Sequence, residues 1–202
     1  DDRAAMPKRQ DDSNKGTFGR AVIAGGSKRY PGAVRLSAEA AARSGCGLVT
    51  LAAPEAIQPL LMGLPDPTHE PLPGADGHLD AEGARALLRA LQSGNARAML
   101  VGPGLGLTDG TRAFVQHLLA GVDAVAGLEA LVLDADALNV LAEEAEWWTR
   151  TPMARVLTPH PGEMARLVGR SVVEVQARRL DVAVEYAERT QSVVVLKGAG
   201  TI

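Results

Sequence analysis

A chain of 202 residues with 46% hydrophobic and 22% charged side chains has the composition of one soluble globular domain. A formal charge of −3 and only 3% aromatic residues leave neither a basic stripe nor a stacking platform, which excludes nucleic acid as the expected partner. No stretch reaches the ~18 apolar residues of a membrane span, no secretory core opens the N-terminus, and the lone Cys46 lies in apolar RSGCGLVTLAA as a buried thiol, so a cytoplasmic protein is expected.

Residues 1–14 are polar and read as a flexible lead-in, with one domain expected over 15–202. Residues 20–24 (RAVIA) predict a strand stopped by Gly25-Gly26, and 33–44 a helix ending at Gly45 and Gly47. A strand at 48–53 and a short helix from Pro54 follow. Residues 63–79 hold four prolines, three glycines and two histidines and predict a long loop. Helix 81–92, strand 97–101, helix 111–120, strand 130–134, helix 136–145, strand 154–158 and helix 161–168 continue the alternation. Ser171 with Glu174 matches a capping box for a helix over 172–189, and a strand at 192–197 comes last. Six apolar runs flanked by helical periodicity predict an α/β fold, a mostly parallel sheet with helices on both faces.

Each run stops at a polar or glycine-rich corner, the place where such sheets bind ligands. At Lys197-Gly198-Ala199-Gly200-Thr201 two glycines let backbone amides approach an anion, beside a compact positive charge; a tight turn with a solvated lysine is the alternative. In Thr158-Pro159-His160-Pro161-Gly162-Glu163 the prolines aim one imidazole at a helix start, whose exposed amides favour an anionic group. Glu163 suits that helix dipole as a cap. Gly102-Pro103-Gly104-Leu105-Gly106 is only a loose dinucleotide fingerprint and reads as a tight turn against which a ligand can lie. In LDADALN, Asp136 fits an N-cap, and Asp134 at the strand tip could hold Mg2+ through water. Gly25-Gly26-Ser27 with Tyr30-Pro31-Gly32-Ala33 offers room for a flat ring or ribose, or makes a turn. The Trp147-Trp148 pair reads as packing or an interface patch.

Taken in order, AGGS, YPGA, LSAEAAARSGCGLVTLA, VGPGLG, LDADALN, LTPHPGEMARL and VVLKGAGT resemble the NAD(P)H-hydrate dehydratase family, a ribokinase-like branch of the carbohydrate kinases. KGTFGR at 15–20 also resembles the segment that opens that family's domain, so the likeness runs from about residue 15 to the end. The resemblance implies a metabolite repair enzyme that dehydrates the S epimer of hydrated NADH or NADPH with ADP or ATP and Mg2+. The hydroxyl left by water addition is phosphorylated, and loss of phosphate restores the double bond. By the same resemblance Ala33, Gly104, Gly106, His160, Pro161, Gly162, Glu163 and Arg166 meet the hydrated dinucleotide, while Lys197, Gly198, Ala199, Gly200 and Thr201 hold the adenine nucleotide's phosphates. A homo-oligomer, and an NAD(P)H-hydrate epimerase either fused or separate, are implied too. The family's later G-G-T-G-D segment, whose aspartate is the expected base, is not in this sequence. No catalytic residue is therefore assigned, and a C-terminally incomplete fragment of a longer protein is expected. Two alternatives stand beside this reading: a kinase of a small vitamin-type alcohol on the same fold, and a non-catalytic nucleotide-binding module.

Overall fold

The computed structural model describes residues 11–64, 66–92 and 95–202; most of the expected lead-in lies outside them. Strand β1 (Arg20–Ala24) is followed by helix α1 (Pro31–Arg43), β2 (Leu48–Pro54), the single turn α2 (Gln58–Leu61) and β3 (Thr68–Leu72). The hairpin strands β4 (Gly74–Ala75) and β5 (His78–Leu79) lead into α3 (Ala81–Gln92), β6 (Ala96–Val101), α4 (Asp109–Gly121) and β7 (Ala130–Leu133). Then come α5 (Asp136–Leu141), β8 (Ala154–Leu157), α6 (Pro161–Val168), α7 (Val172–Ala177), α8 (Arg179–Thr190) and β9 (Val193–Val194).

Seven of these strands form one sheet in the order β3-β2-β1-β6-β7-β8-β9, with every pairing parallel. Parallel strands need covering on both faces, which explains their nearly unbroken apolar sequences. Along β1 the side chains alternate between two cores: Val22 and Ala24 join Leu87 of α3 and Phe114 of α4, whereas Ile23 joins Val34 of α1 and Leu61 of α2. Helices therefore cover both faces, as the alternating pattern predicts. Strand order reverses between β1 and β6, the switch point beyond whose carboxyl ends sheets of this kind bind ligands. No helix among the described residues is long and apolar enough to cross a membrane.

Several expectations need correction. The stretch 63–79 is not wholly loop, because Thr68–Leu72 adds a parallel edge strand to β2. Its sequence, THEPL, lacks apolar alternation and contains Pro71, tolerable only at a sheet edge. The following hairpin turns through Asp76 and Gly77, both at positive φ (51° and 76°), a two-residue Asp-Gly connection. The helix expected over 136–145 stops at Leu141, since Glu143, Glu144 and Glu146 would crowd the negative end of its dipole. The helix expected over 172–189 is two helices, broken where Arg178 leaves helical dihedrals (φ −136°, ψ 45°). The strand expected at 192–197 narrows to two residues, although Val195 and Lys197 still donate backbone bonds to Leu157 and Pro159. Cys46, expected to be buried, is half-buried against the α1 side of the core. Trp147 is buried, and its indole donates to the Tyr186 hydroxyl at 3.4 Å, so this half of the tryptophan pair is packing.

A buried guanidinium fixes the far end of the sheet. Arg155 on β8 donates to the carbonyls of Thr190 (2.8 Å) and Gln191 (3.3 Å), to Ser192 Oγ (3.2 Å), and to the carbonyls of Trp148 and Thr151. It ties β8 to the turn that launches β9, and burial holds its pKa below the ordinary value. Substituting Arg155→Met orphans these buried carbonyls and is expected to cost roughly 3 kcal/mol, measured as a lower midpoint in denaturant unfolding.

Candidate functional site

The corners at the switch point interlock. Gly26 donates its amide to the Pro103 carbonyl at 2.8 Å, and Gly102 donates to Ala24 at 3.1 Å. A Cβ on Gly25 would lie 2.5 Å from the Pro103 carbonyl oxygen, and one on Gly104 would lie 2.7 Å from that of Tyr30 and 2.9 Å from Ala33 Cβ. Gly102 is the most constrained: its φ is +128°, and a Cβ would meet the Asp134 carbonyl oxygen at 1.8 Å. Ala33 at the start of α1 thus faces the GPGLG turn, as a wall made of small groups requires.

The tip of β7 joins this cradle to the next two strand ends. Asp134 Oδ1 accepts from Thr158 Oγ1 at 2.7 Å, just past β8, and from Lys197 Nζ at 2.6 Å, just past β9. Lys197 Nζ also lies 3.9 Å from Glu163 Oε2. The two corners that the sequence singles out therefore meet. Asp136 does not act as the N-cap expected of it. The cap position of α5 is Ala135 at φ 52°, and Asp136 Oδ2 instead accepts the Gly106 amide at 2.8 Å, bracing the GPGLG turn.

His160 is the N-cap of α6. Its Nδ1 accepts the amides of Gly162 (2.9 Å) and Glu163 (3.3 Å), while Glu163 Oε2 accepts the His160 amide at 2.7 Å, completing a capping box. Pro161 occupies the first helical turn, where no amide hydrogen is needed. Accepting at Nδ1 leaves the neutral ring's proton on Nε2, 3.3 Å from Glu163 Oε1. The imidazole is half-exposed and the Glu163 carboxylate nearly buried. Arg166, one turn further on, binds Asn139 Oδ1 at 2.9 Å and borders a separate cavity of about 370 Å3 with Leu107 and Glu143. Beyond β9, Gly198 (φ 143°) and Gly200 (φ 67°) carry the Lys197–Thr201 turn.

The residues present do not make a magnesium cage. No group of three His, Cys, Asp or Glu side chains converges among the described residues, and the Asp134 carboxylate is engaged by Lys197 and Thr158. A cavity of about 410 Å3 lies beside Trp147, Trp148, Tyr186 and Arg189 and contains none of the site residues, so enclosure alone does not mark the site. Sequence reasoning missed His78, whose ring Cδ2 and Nε2 would stand 3.2 and 3.3 Å from a Cβ on Gly106. The Asp76-Gly77 pair was the available signal, since it marks the hairpin that carries this histidine over the turn. It also missed Arg179, for which no local pattern exists.

A parallel sheet covered by helices on both faces, whose corners gather on one edge on both sides of a strand-order reversal, defines a doubly wound α/β protein. Comparison with known proteins narrows this. The family model for NAD(P)H-hydrate dehydratase matches residues 21–202, and the chain belongs to that family. It is 40% identical to the bifunctional NAD(P)H-hydrate repair enzyme of Moorella thermoacetica, over 99% of this chain and 37% of the relative. It is 36% identical to the ADP-dependent (S)-NAD(P)H-hydrate dehydratase of Bacillus subtilis, over 99% of this chain and 65% of that one. The crystal structure of the ADP/ATP-dependent dehydratase from Bacillus subtilis, co-crystallised with ATP and Mg2+, superposes with a TM-score of 0.78 at 34% identity, covering 98% of this chain and 65% of that one. The chain thus spans about a third of the bifunctional relatives and just under two thirds of the single-function ones.

The glycine cradle is directly testable. Gly102→Ala combines a forbidden φ with backbone overlap and is expected to cost more than about 2 kcal/mol, read as a fall in melting temperature. Gly127→Ala also has a positive φ (+83°), nearer the left-handed region, with open space around the added carbon. Both strain and overlap are smaller there, and its melting temperature is expected to fall by less.

Proposed function

We propose that the protein containing this chain dehydrates the S epimer of NADH or NADPH hydrate, with ADP or ATP as phosphoryl donor, and that this chain carries walls of both binding sites. In this reading the hydrated nicotinamide end lies against Ala33, Gly104, Gly106 and the turn His160–Glu163, with Arg166 at its outer margin. The nucleotide's phosphates lie on Lys197–Thr201, where positive-φ glycines expose backbone amides. One observation carries the reading: Lys197 Nζ stands 2.6 Å from Asp134 and 3.9 Å from Glu163, between the two walls. An ammonium there can neutralise charge on a phosphoryl group passing from one side to the other.

The chemistry follows from leaving groups. Hydroxide leaves a saturated ring carbon poorly, and phosphate leaves well. Phosphorylating the hydroxyl and then expelling phosphate, with loss of the proton from the neighbouring carbon, restores the reduced nicotinamide. The chain's own residues bind, orient and neutralise charge; none is assigned as the base. Mg2+ arriving with the nucleotide would be held chiefly by phosphate oxygens and water, as is usual for that ion. The R epimer would need an epimerase, either fused as in the bifunctional relatives or separate.

Incubating the full-length protein with hydrated NADH and ADP is expected to restore the absorbance of the reduced nicotinamide. Absence of recovery, with phosphorylation of a vitamin-type alcohol instead, would favour the kinase reading. Lys197→Ala is expected to weaken ADP binding by about tenfold or more, equivalent to about 1.4 kcal/mol, with a smaller effect on hydrated NADH; equal losses would refute the division of the two walls. His160→Asn keeps a side-chain acceptor at the cap, so its melting temperature is expected to stay near the parent's while affinity for the hydrated dinucleotide falls. His160→Ala should lose both, the cap alone contributing about 1 kcal/mol.

A further inference from the structure

The Lys197–Thr201 turn owes its shape to a residue from an earlier helix. Arg179 opens α8, directly after the break at Arg178. Its Nη2 donates to three carbonyls of the turn and its approach: Leu196 at 3.0 Å, Gly200 at 3.1 Å and Lys197 at 3.3 Å. Its Nη1 donates to Gln176 Oε1 at 2.8 Å and would stand 3.1 Å from a Cβ on Gly198. A turn that directs its carbonyls onto one point directs intervening amides elsewhere, the arrangement that makes an anion-binding concavity. Gly198 and Gly200 supply the positive φ values this needs, and Gly198 leaves the space in which the guanidinium lies.

Charge works in the same direction. Each acceptor in these contacts is a neutral oxygen, so no carboxylate in them offsets the positive charge under the turn. Lys197 is committed to Asp134 at 2.6 Å, so the guanidinium is the charge beneath the glycines themselves. We infer that Arg179 is a positioning residue for the nucleotide: it holds the Lys197–Thr201 backbone so that the amides from Gly198 to Thr201 can face phosphate, and sets a fixed positive charge behind them. This rests on reading that turn as the nucleotide's phosphate site. A lysine replaces it only in part, since a single ammonium lacks the planar fork that spans several carbonyls at once.

The test compares Arg179→Ala and Arg179→Lys with the parent full-length protein, using titration calorimetry with ADP and with hydrated NADH, and thermal melting without ligand. The expected result is at least a tenfold loss of ADP affinity in Arg179→Ala and partial loss in Arg179→Lys. Affinity for hydrated NADH should stay within twofold. Millimolar guanidinium should restore part of the ADP affinity of Arg179→Ala and leave the parent unchanged, a response that a purely structural role would not give. ADP binding unaltered in both variants would overturn the inference. So would equal loss of both ligands in step with a lowered melting temperature. Should Arg179→Ala fail to fold, Arg179→Lys, which keeps the stem and the charge, carries the comparison alone. If the parent does not bind ADP, the nucleotide reading of the turn falls first, and the role of Arg179 falls with it.

Discussion

The ion group around Lys197 is the contact on which the rest of the site depends. Three strands, β7, β8 and β9, end side by side, and each delivers one member: Asp134, Thr158 and Lys197. Glu163 joins from the first turn of α6. Exposure decides what the group is worth. Lys197 and Asp134 keep 40% and 26% of their side chains in solvent, so water screens much of their attraction. Glu163 keeps 5%, and a carboxylate that deeply placed needs partners. It has the His160 amide, with the His160 ring and Lys197 close by. The group therefore acts less as a source of stability than as a jig. It links the start of α6 to the end of β9, and so fixes the spacing of those two corners. Groups already in place need no reorganisation when charge moves past them.

The other half of the site is built from steric exclusion. At the reversal between β1 and β6 the chain leaves the sheet twice in glycines, and each would overlap backbone if it carried a Cβ: Gly25 against Pro103, Gly102 against Asp134, Gly104 against Tyr30. The strand tips can approach only because these positions are bare. Asp136 then ties the loose end of the turn by accepting the Gly106 amide. Asp134 belongs to both halves. Its carbonyl oxygen sets the limit on Gly102, and its carboxylate holds Lys197.

Much of the fold was legible because a parallel sheet writes itself as apolar runs between amphipathic ones, and six of the seven strands carry that signature. The seventh, Thr68–Leu72, does not: an edge strand is stabilised by pairing on one side, tolerates Pro71, and needs no apolar alternation. The break at Arg178 was invisible for a related reason. No glycine or proline marks it, and the gain that favours it lies 17–21 residues away, in the carbonyls Arg179 reaches. Helix ends governed by local chemistry were readable in advance, as at Ser171 with Glu174 and at Pro161.

The site divides along the same line. Glycine corners and the His160 turn announce themselves, because backbone constraint is local and leaves residue types behind. Side-chain partnerships across strands leave no such trace, which is why Asp136 looked like a cap and why the lysine beside Asp134 was not foreseen. Strand order accounts for both. Once β8 lies between β7 and β9, the tip of β7 is within reach of a lysine 63 positions later in the chain, and the aspartate meets an ammonium there. Once β6 lies beside β7, the residue two past that tip faces the GPGLG amides, and its carboxylate has a better partner there than in its own helix. His160 shows the converse. Its local role as a cap consumes Nδ1 and leaves the neutral ring's proton on Nε2, toward Glu163 Oε1. Capping the helix thus fixes the tautomer of the neutral imidazole.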